Sequence, residues 1–316
     1  MSEQICLFDT GPTTPPTPDI PPTLTPGPVP DLAQYDVILV NLSGGKDSQV
    51  ALAVTMEAAV RAGVAHRVVC VHADLGEMEW AGTAFLARVH AVANGVTRFE
   101  VVRREIPDGN GTRHETLLQY AQRRRMWPSS KARWCTSDLK RGPIHRLYTR
   151  IVAEIDPVRI GRAVRLLNVM GMRAAESPAR LKLAPYRHDA AASNGRRHVD
   201  TWLPIHAMST EEVWERIYAS DIPYSDVYDS TPGARDRQGM SRLSCIFCVL
   251  SSRRDLVLAA RREPELADRY VRVEQEIGHD FRYREPMSAI REEAQRQTAA
   301  AHARDLLAEL DLEPVG

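Results

Sequence analysis

Residues 35–48 read Tyr35-Asp36-Val37-Ile38-Leu39-Val40-Asn41-Leu42-Ser43-Gly44-Gly45-Lys46-Asp47-Ser48. The apolar, β-branched run Val37–Leu42 predicts a buried strand. Gly44 and Gly45 permit a sharp turn and bring backbone N–H groups close to a ligand. Asp47 is expected to cap a helix that runs to about Ala62. The start of such a helix offers free N–H groups and a positive dipole end, which suit a phosphate. Lys46 adds a mobile cation. The junction therefore reads as a phosphate or pyrophosphate cradle; the plain alternative is an ordinary strand-to-helix turn.

Outward from this junction the chain alternates. Strands are predicted at Arg67–His72, Arg98–Val102 and Val164–Met170, and helices at Trp80–Asn94, Arg113–Met126, Pro143–Ile155 and Ser209–Ser220. The last opens on Ser209-Thr210-Glu211-Glu212, a capping-box pattern. Such alternation implies an α/β fold with a mainly parallel sheet covered on both faces. Ligands of such sheets sit at the C-terminal strand ends. Beyond Ser251 the pattern is mostly helical, with helices expected at Arg253–Arg262, Pro264–Ile277 and Met287–Glu309. Residues 12–30 hold nine prolines and are expected to be extended. The expected organisation is a Pro-rich N-terminal tail (1–34), a nucleotide-binding domain carrying a cysteine site (35–250) and a helical C-terminal extension (251–316).

At 316 residues and 43% hydrophobic content, the composition is that of a globular protein. No apolar run is long enough for a bilayer and no signal pattern opens the chain, so a cytoplasmic location without membrane contact is expected. Net charge is zero, yet residues 101–200 hold 21 Lys/Arg against 9 Asp/Glu. That imbalance suggests a polyanionic partner, a nucleotide or a nucleic acid, or else a cation-lined ATP site among solvated arginines. Five cysteines make an oxidised framework unlikely to pair completely and favour metal or thiol chemistry.

Ser43–Ser48 resembles the pyrophosphate loop of the ATP pyrophosphatase superfamily; it lacks the Walker A spacing. The resemblance implies ATP cleavage between the α and β phosphates, giving an adenylylated substrate and pyrophosphate. Further blocks follow in order. His72-Ala73-Asp74-Leu75-Gly76 ends the second strand, and Asp74 can accept from a ribose hydroxyl or adenine amine, or simply cap a turn. Gly171-Met172-Arg173 and the nearby Arg180 end the fourth; Gly171 allows close approach, and Arg173 can fork onto a phosphate or sulfate. Trp202-Leu-Pro-Ile205 and Ile222-Pro-Tyr-Ser225 complete the set. Over residues 36–250 these blocks resemble the phosphoadenosine phosphosulfate reductase family, which includes sulfonucleotide reductases and the sulfur-inserting enzyme of DNA phosphorothioation. The resemblance implies the adenine nucleotide α-hydrolase (HUP) fold with a five-stranded parallel sheet. It also implies that Ser43, Gly44, Gly45, Lys46, Asp47, Ser48, Asp74, Gly171, Arg173 and Arg180 surround the nucleotide, with Lys46, Asp47 and Arg173 catalytic. Reductase loops of the family look degraded; this loop is intact, which favours ATP with Mg²⁺ as the ligand.

Cys245-Ile-Phe-Cys248 is a C-x-x-C unit, and Cys135 lies in Arg133-Trp-Cys-Thr-Ser-Asp-Leu-Lys-Arg-Gly-Pro143. The latter resembles the segment carrying paired cluster cysteines in adenylylsulfate reductases, with Trp134 in the first paired position. Cys135, Cys245 and Cys248 are the expected metal ligands, to a four-iron cluster with one open iron or to zinc with a histidine such as His145, the further alternative being cysteines that hold no metal. Cys6 is a speculative fourth ligand, and Cys70, alternating with valines, is expected in the core. No cysteine follows Cys248, where the reductases carry their attacking thiol. The expected activity is therefore ATP-dependent adenylylation coupled to sulfur transfer onto DNA or RNA, with a sulfur donor such as a cysteine desulfurase. The alternatives are a phosphoadenosine phosphosulfate or adenylylsulfate reductase, or a nucleotide-binding subunit without turnover.

Overall fold

The computed structural model describes residues 24–309. In chain order the elements begin β1 (Val37–Asn41), α1 (Lys46–Arg61), β2 (Val68–Ala73), α2 (Thr83–Ala93) and β3 (Arg98–Val102). A hairpin, β4 (Glu105–Asp108) and β5 (Gly111–His114), leads to α3 (Leu117–Arg124). The short α4 (Trp134–Thr136) runs through a π-helical turn, Ser137–Arg141, into α5 (Gly142–Ile155). Then come β6 (Val164–Val169), α6 (Pro178–Leu181), β7 (Tyr186–His188), β8 (Arg197–Trp202), α7 (Thr210–Tyr218), α8 (Arg253–Arg262), α9 (Pro264–Ile277) and α10 (Met287–Glu309).

The main sheet has the order β3-β2-β1-β6-β8-β7. Five strands are parallel, as expected; β7 adds a sixth, antiparallel strand at the edge beside β8. Successive β1 residues bury opposite faces. Ile38 and Val40 join α1 and α2 in one core, whereas Val37 and Leu39 join Leu147, Tyr148 and Ile151 of α5 in another. A strand buried on both sides must be apolar at every position, which is why the run reads so clearly. The crossover from β1 to β6 leaves the loops after β1, β2 and β6 on the same end of the sheet.

One sequence expectation changes here. The helix predicted over Arg113–Met126 begins only at Leu117, because Gly111–His114 pairs with Glu105–Asp108 around Gly109 (φ 45°). Asp108-Gly109-Asn110-Gly111 is a strong hairpin turn signal, and the Thr116–Gln119 capping box then starts the helix. Most of the Pro-rich tail is not described. Residues 1–23, with Cys6, lie outside the described residues. Residues 24–30 have no regular structure, and Gly27 sits so close to Pro185 that a Cβ would come within 2.5 Å of the proline Cβ.

Helices α8–α10 share one apolar core with α3, α4 and the cysteine segment. Trp127 is central to it. Its ring stacks on Tyr270 at 5.1 Å and meets Phe281 edge-on at 5.5 Å. Its indole N–H donates to the His279 carbonyl at 3.0 Å. Among the described residues, no helix is long and apolar enough to cross a membrane. Trp127→Ala should cost about 3–5 kcal/mol in urea unfolding, through the cavity and the lost aromatic contacts.

Candidate nucleotide and thiol site

The loop Ser43–Ser48 closes on itself before it meets any ligand. Ser48 Oγ donates to the Gly45 carbonyl at 2.8 Å and accepts from the Ser43 amide at 3.2 Å. Gly44 adopts φ +75°, and a Cβ there would meet the Thr83 carbonyl at 3.0 Å. Gly45, not Asp47, is the N-cap residue of α1, and it provides no side-chain cap. Asp47 lies in the first helical turn, where its carboxylate is drawn away to two cations. Lys46 Nζ lies 2.9 Å from its Oδ2, and Arg173 Nε donates to its Oδ1 at 2.6 Å. A carboxylate there also complements the positive helix end.

Burial disfavours charge on Asp47, but Lys46 and Arg173 outweigh it and hold its carboxyl below the usual range. Burial depresses Lys46, which Asp47 opposes and Arg173 and Arg242 reinforce. An arriving polyphosphate would restore the preference for the ammonium form. Arg173 is 2% exposed. Its Nη1 also donates to Thr210 Oγ1 at 3.2 Å, so it braces Asp47 from below. Arg180 is more open: it pairs with Glu176, which also has Arg242 at 3.7 Å. Burial first, then Arg242, lowers Arg180 to about 10.

Gly171 follows β6 and presses against α1. A Cβ there would fall 2.5 Å from the Asp47 carbonyl oxygen and 2.9 Å from the Ser48 nitrogen, both backbone atoms. Asp74 lies at the end of β2, but its Oδ1 accepts from the Gly76 amide at 2.6 Å and its Oδ2 pairs with Arg103. It therefore forms a local turn as well as bordering a cleft of about 460 Å³ with Glu79, Trp80, Thr83 and Ile246.

The three cysteines come together although 110 residues separate Cys135 from Cys245. All three are half-buried. Burial raises Cys135, and burial pushes Cys245 up to about 12 against the pull of Lys140. Burial opposes charge on Lys140, yet Cys245, Glu79, Cys248 and Cys135 together raise its pKa, so the lysine stands among the thiols. It projects from the π-helical turn, a distortion often found at functional sites. His145 does not join them: it stacks on Tyr148 at 5.2 Å, and its charged neighbours are Arg197, Asp189 and Arg141. Cys70 is fully buried in the core.

Several partners carry no local sequence signal. The Tyr228 hydroxyl accepts from the Lys46 amide at 3.1 Å and the Leu243 amide at 3.3 Å. His72 joins the Leu42 carbonyl (2.8 Å) to Glu79 (2.9 Å). Burial opposes protonation of His72, but the hydrogen bond and charge of Glu79, with the Leu42 carbonyl and Asp74, together outweigh it and raise the pKa. The charge of Glu79 also helps to raise the pKa of Lys140.

Two measurements probe this geometry. Gly171→Ala should lower unfolding stability by about 1–3 kcal/mol, because the added carbon meets backbone on α1; Gly195→Ala, with nothing within 4 Å, should be neutral. Asp47 has a depressed folded pKa, so its contribution is present above the ordinary carboxyl value of about 3.9 and is lost as pH falls through the folded value. The stability gap between wild type and Asp47→Asn should therefore be widest near neutral pH and shrink below about pH 4.

Residues 37–251 match the phosphoadenosine phosphosulfate reductase domain. An uncharacterised protein of Methanocaldococcus jannaschii is 25% identical over 155 residues, 48% of this chain and 31% of the relative. An uncharacterised 37.8 kDa protein of Escherichia phage 186 is 28% identical over 145 residues, 44% of this chain and 38% of the relative. The alignments thus span about a third of these relatives' length. The loop, the Gly171 contact and the parallel sheet all lie inside the matched span, and the chain belongs to the phosphoadenosine phosphosulfate reductase family.

Proposed function

We propose that this protein cleaves ATP between its α and β phosphates, transfers the adenylyl group to an acceptor oxygen, and thereby enables replacement of that oxygen by sulfur. The observation that carries the reading is the Lys46–Asp47–Arg173 ion triad beneath an intact Ser43–Ser48 loop. The Lys46 ammonium and those loop amides not already donating within the protein, as the Ser43 and Lys46 amides do to Ser48 and Tyr228, hold the β and γ phosphates, with Mg²⁺ sharing their charge. Gly171 lets the β6 loop approach the loop backbone, and Asp74 lines the nucleoside side. Arg173 positions Asp47, while Arg180 is the guanidinium available to charge developing on the α phosphate. The acceptor oxygen attacks the α phosphorus, and its bond to the β-phosphate oxygen breaks as pyrophosphate leaves. A sulfide-level nucleophile, such as the sulfide released when an external thiol reduces the persulfide of a cysteine desulfurase and is itself oxidised to a disulfide, then displaces AMP together with the former acceptor oxygen. The basic stretch 101–200 supports a DNA phosphate or an RNA base as acceptor.

The cysteine site suits a soft metal centre. Its donors are three half-buried sulfurs, and the buried indole N–H groups of Trp80 and Trp134, in the same apolar core, have no partner. Such donors suit the sulfides of a cluster. Tetrahedral zinc would hold thiolates about 3.8 Å apart, whereas these three sulfurs are not all within 4.8 Å of one another. A four-iron cluster on Cys135, Cys245 and Cys248 would supply an open iron with affinity for sulfide. Iron and acid-labile sulfide in anaerobically prepared protein support that centre; stoichiometric zinc without iron speaks against it.

The activity itself is tested by pyrophosphate release from ATP, with and without DNA or RNA. Lys46→Ala should reduce release about 100-fold or more, the scale of losing one preorganised charge contact. Sulfite release from a sulfonucleotide, without pyrophosphate from ATP, would instead establish a reductase. ATP binding with no turnover in wild type would leave a nucleotide-binding subunit.

A further inference from the structure

A second cluster of ligand-type side chains lies on the sheet edge, apart from the loop and the thiols. Strands β7 and β8 pair antiparallel, with His188 directly opposite Asp200. His198 is two residues before Asp200 on β8 and so shares its face. One ligand atom from each of the three lies within 4.8 Å of the other two, the sole such group among the described residues. His188 Nδ1 is 3.1 Å and His198 Nε2 is 3.0 Å from the same oxygen, Asp200 Oδ1. The imidazoles stack at 4.3 Å with an interplanar angle of 25°.

We propose that His188, His198 and Asp200 form a binding site for a divalent transition-metal ion of the zinc type. Two imidazole nitrogens and one carboxylate are a common donor set for such ions. Ligands 2.0–2.1 Å from a tetrahedral ion stand about 3.3 Å apart, close to the separations already present. An ion can thus take the place of the two ring protons on Oδ1 with little movement. Each neutral imidazole then carries its proton on the other ring nitrogen.

The surroundings are built to aim the carboxylate. Asp200 is 2% exposed. Its Oδ2 accepts from the Tyr35 hydroxyl at 2.7 Å and the Tyr186 hydroxyl at 3.1 Å. Outer partners of this kind orient metal ligands and raise affinity. Arg165, the lateral neighbour of His198 on β6, is taken up by Gln34 at 2.7 Å and the Tyr35 ring at 5.7 Å. The two histidines stay 45% and 41% exposed, so an ion enters from solvent and keeps an open coordination position. The alternative is an ion-free hydrogen-bond network around a buried carboxylate. With an ion in place, β7 is stapled to β8 at the open edge of the sheet, where three register pairs otherwise hold it.

Titration of the full chain with Co²⁺ decides between them. The visible d–d band of a nitrogen- and oxygen-bound ion is followed, since thiolate ligation adds an intense near-ultraviolet charge-transfer band. One such ion is expected in wild type. His188→Ala and His198→Ala, both at exposed positions and checked for native circular dichroism, should each weaken it tenfold or more. Tyr35→Phe should weaken it about 10–100-fold through the carboxylate. Affinity unchanged in both histidine variants, or a spectrum of thiolate type alone, overturns the site.

Discussion

The site depends on two backbones touching. The turn after β6 reaches the first turn of α1 only because Gly171 has no side chain; any Cβ would fall 2.5 Å from the Asp47 carbonyl. That contact registers two parallel strands at their C-terminal ends and brings Arg173 within reach of Asp47. Asp47 in turn holds Lys46. A charged trio so deeply placed is a poor source of net stability, because desolvation of its members offsets their attraction. On the proposed reading its value is orientation: the cations would be in position before a phosphate arrived, so that little reorganisation would accompany binding.

The thiol centre is assembled differently. Cys135 comes from the approach to α5 and Cys245 and Cys248 from the segment ahead of α8, and the core formed by α3 and α8–α10 keeps these segments together. The C-terminal helices therefore act as the wall of the centre as well as an extension of the chain. Lys140, carried by the π-helical turn, places a cation where three sulfurs would otherwise repel one another on ionisation.

Much of this was legible in the chain because it is local. β1 is buried on both faces, so its apolar run is unbroken, and the six-residue loop has its own glycines and cation. The boundaries of α8 and α9 follow from Ser252, Pro264 and Gly278, which mark helix ends by their chemistry. β7 and β8 were hidden: Arg197, His198, Asp200 and Thr201 spoil the apolar signal, because Asp200 is buried by tyrosine hydroxyls rather than by hydrocarbon. Arg113 and His114 blended into the charged helix after them. Tyr228 and Lys140 could not be found locally, since each acts on a residue brought near only by the completed fold; Glu79 lies seven residues from His72, but nothing in the residue types marks the pair. The cap expected of Asp47 failed for the same reason: Arg173, 126 positions away, competes for its carboxylate.

The Tyr228 hydroxyl accepts from an amide of the nucleotide loop and from that of Leu243, two residues before Cys245. One phenol oxygen thus forms a rivet between the Ser43–Ser48 loop and the segment that carries Cys245 and Cys248. A shift of the loop as it grips or releases a ligand would be passed through that rivet to the thiol pair over a very short lever. The two segments are in this sense tied together, and a chain cut between residues 228 and 243 would lose more than Cys245 and Cys248: the Tyr228 hydroxyl would also lose the Leu243 amide that helps to hold it against Lys46.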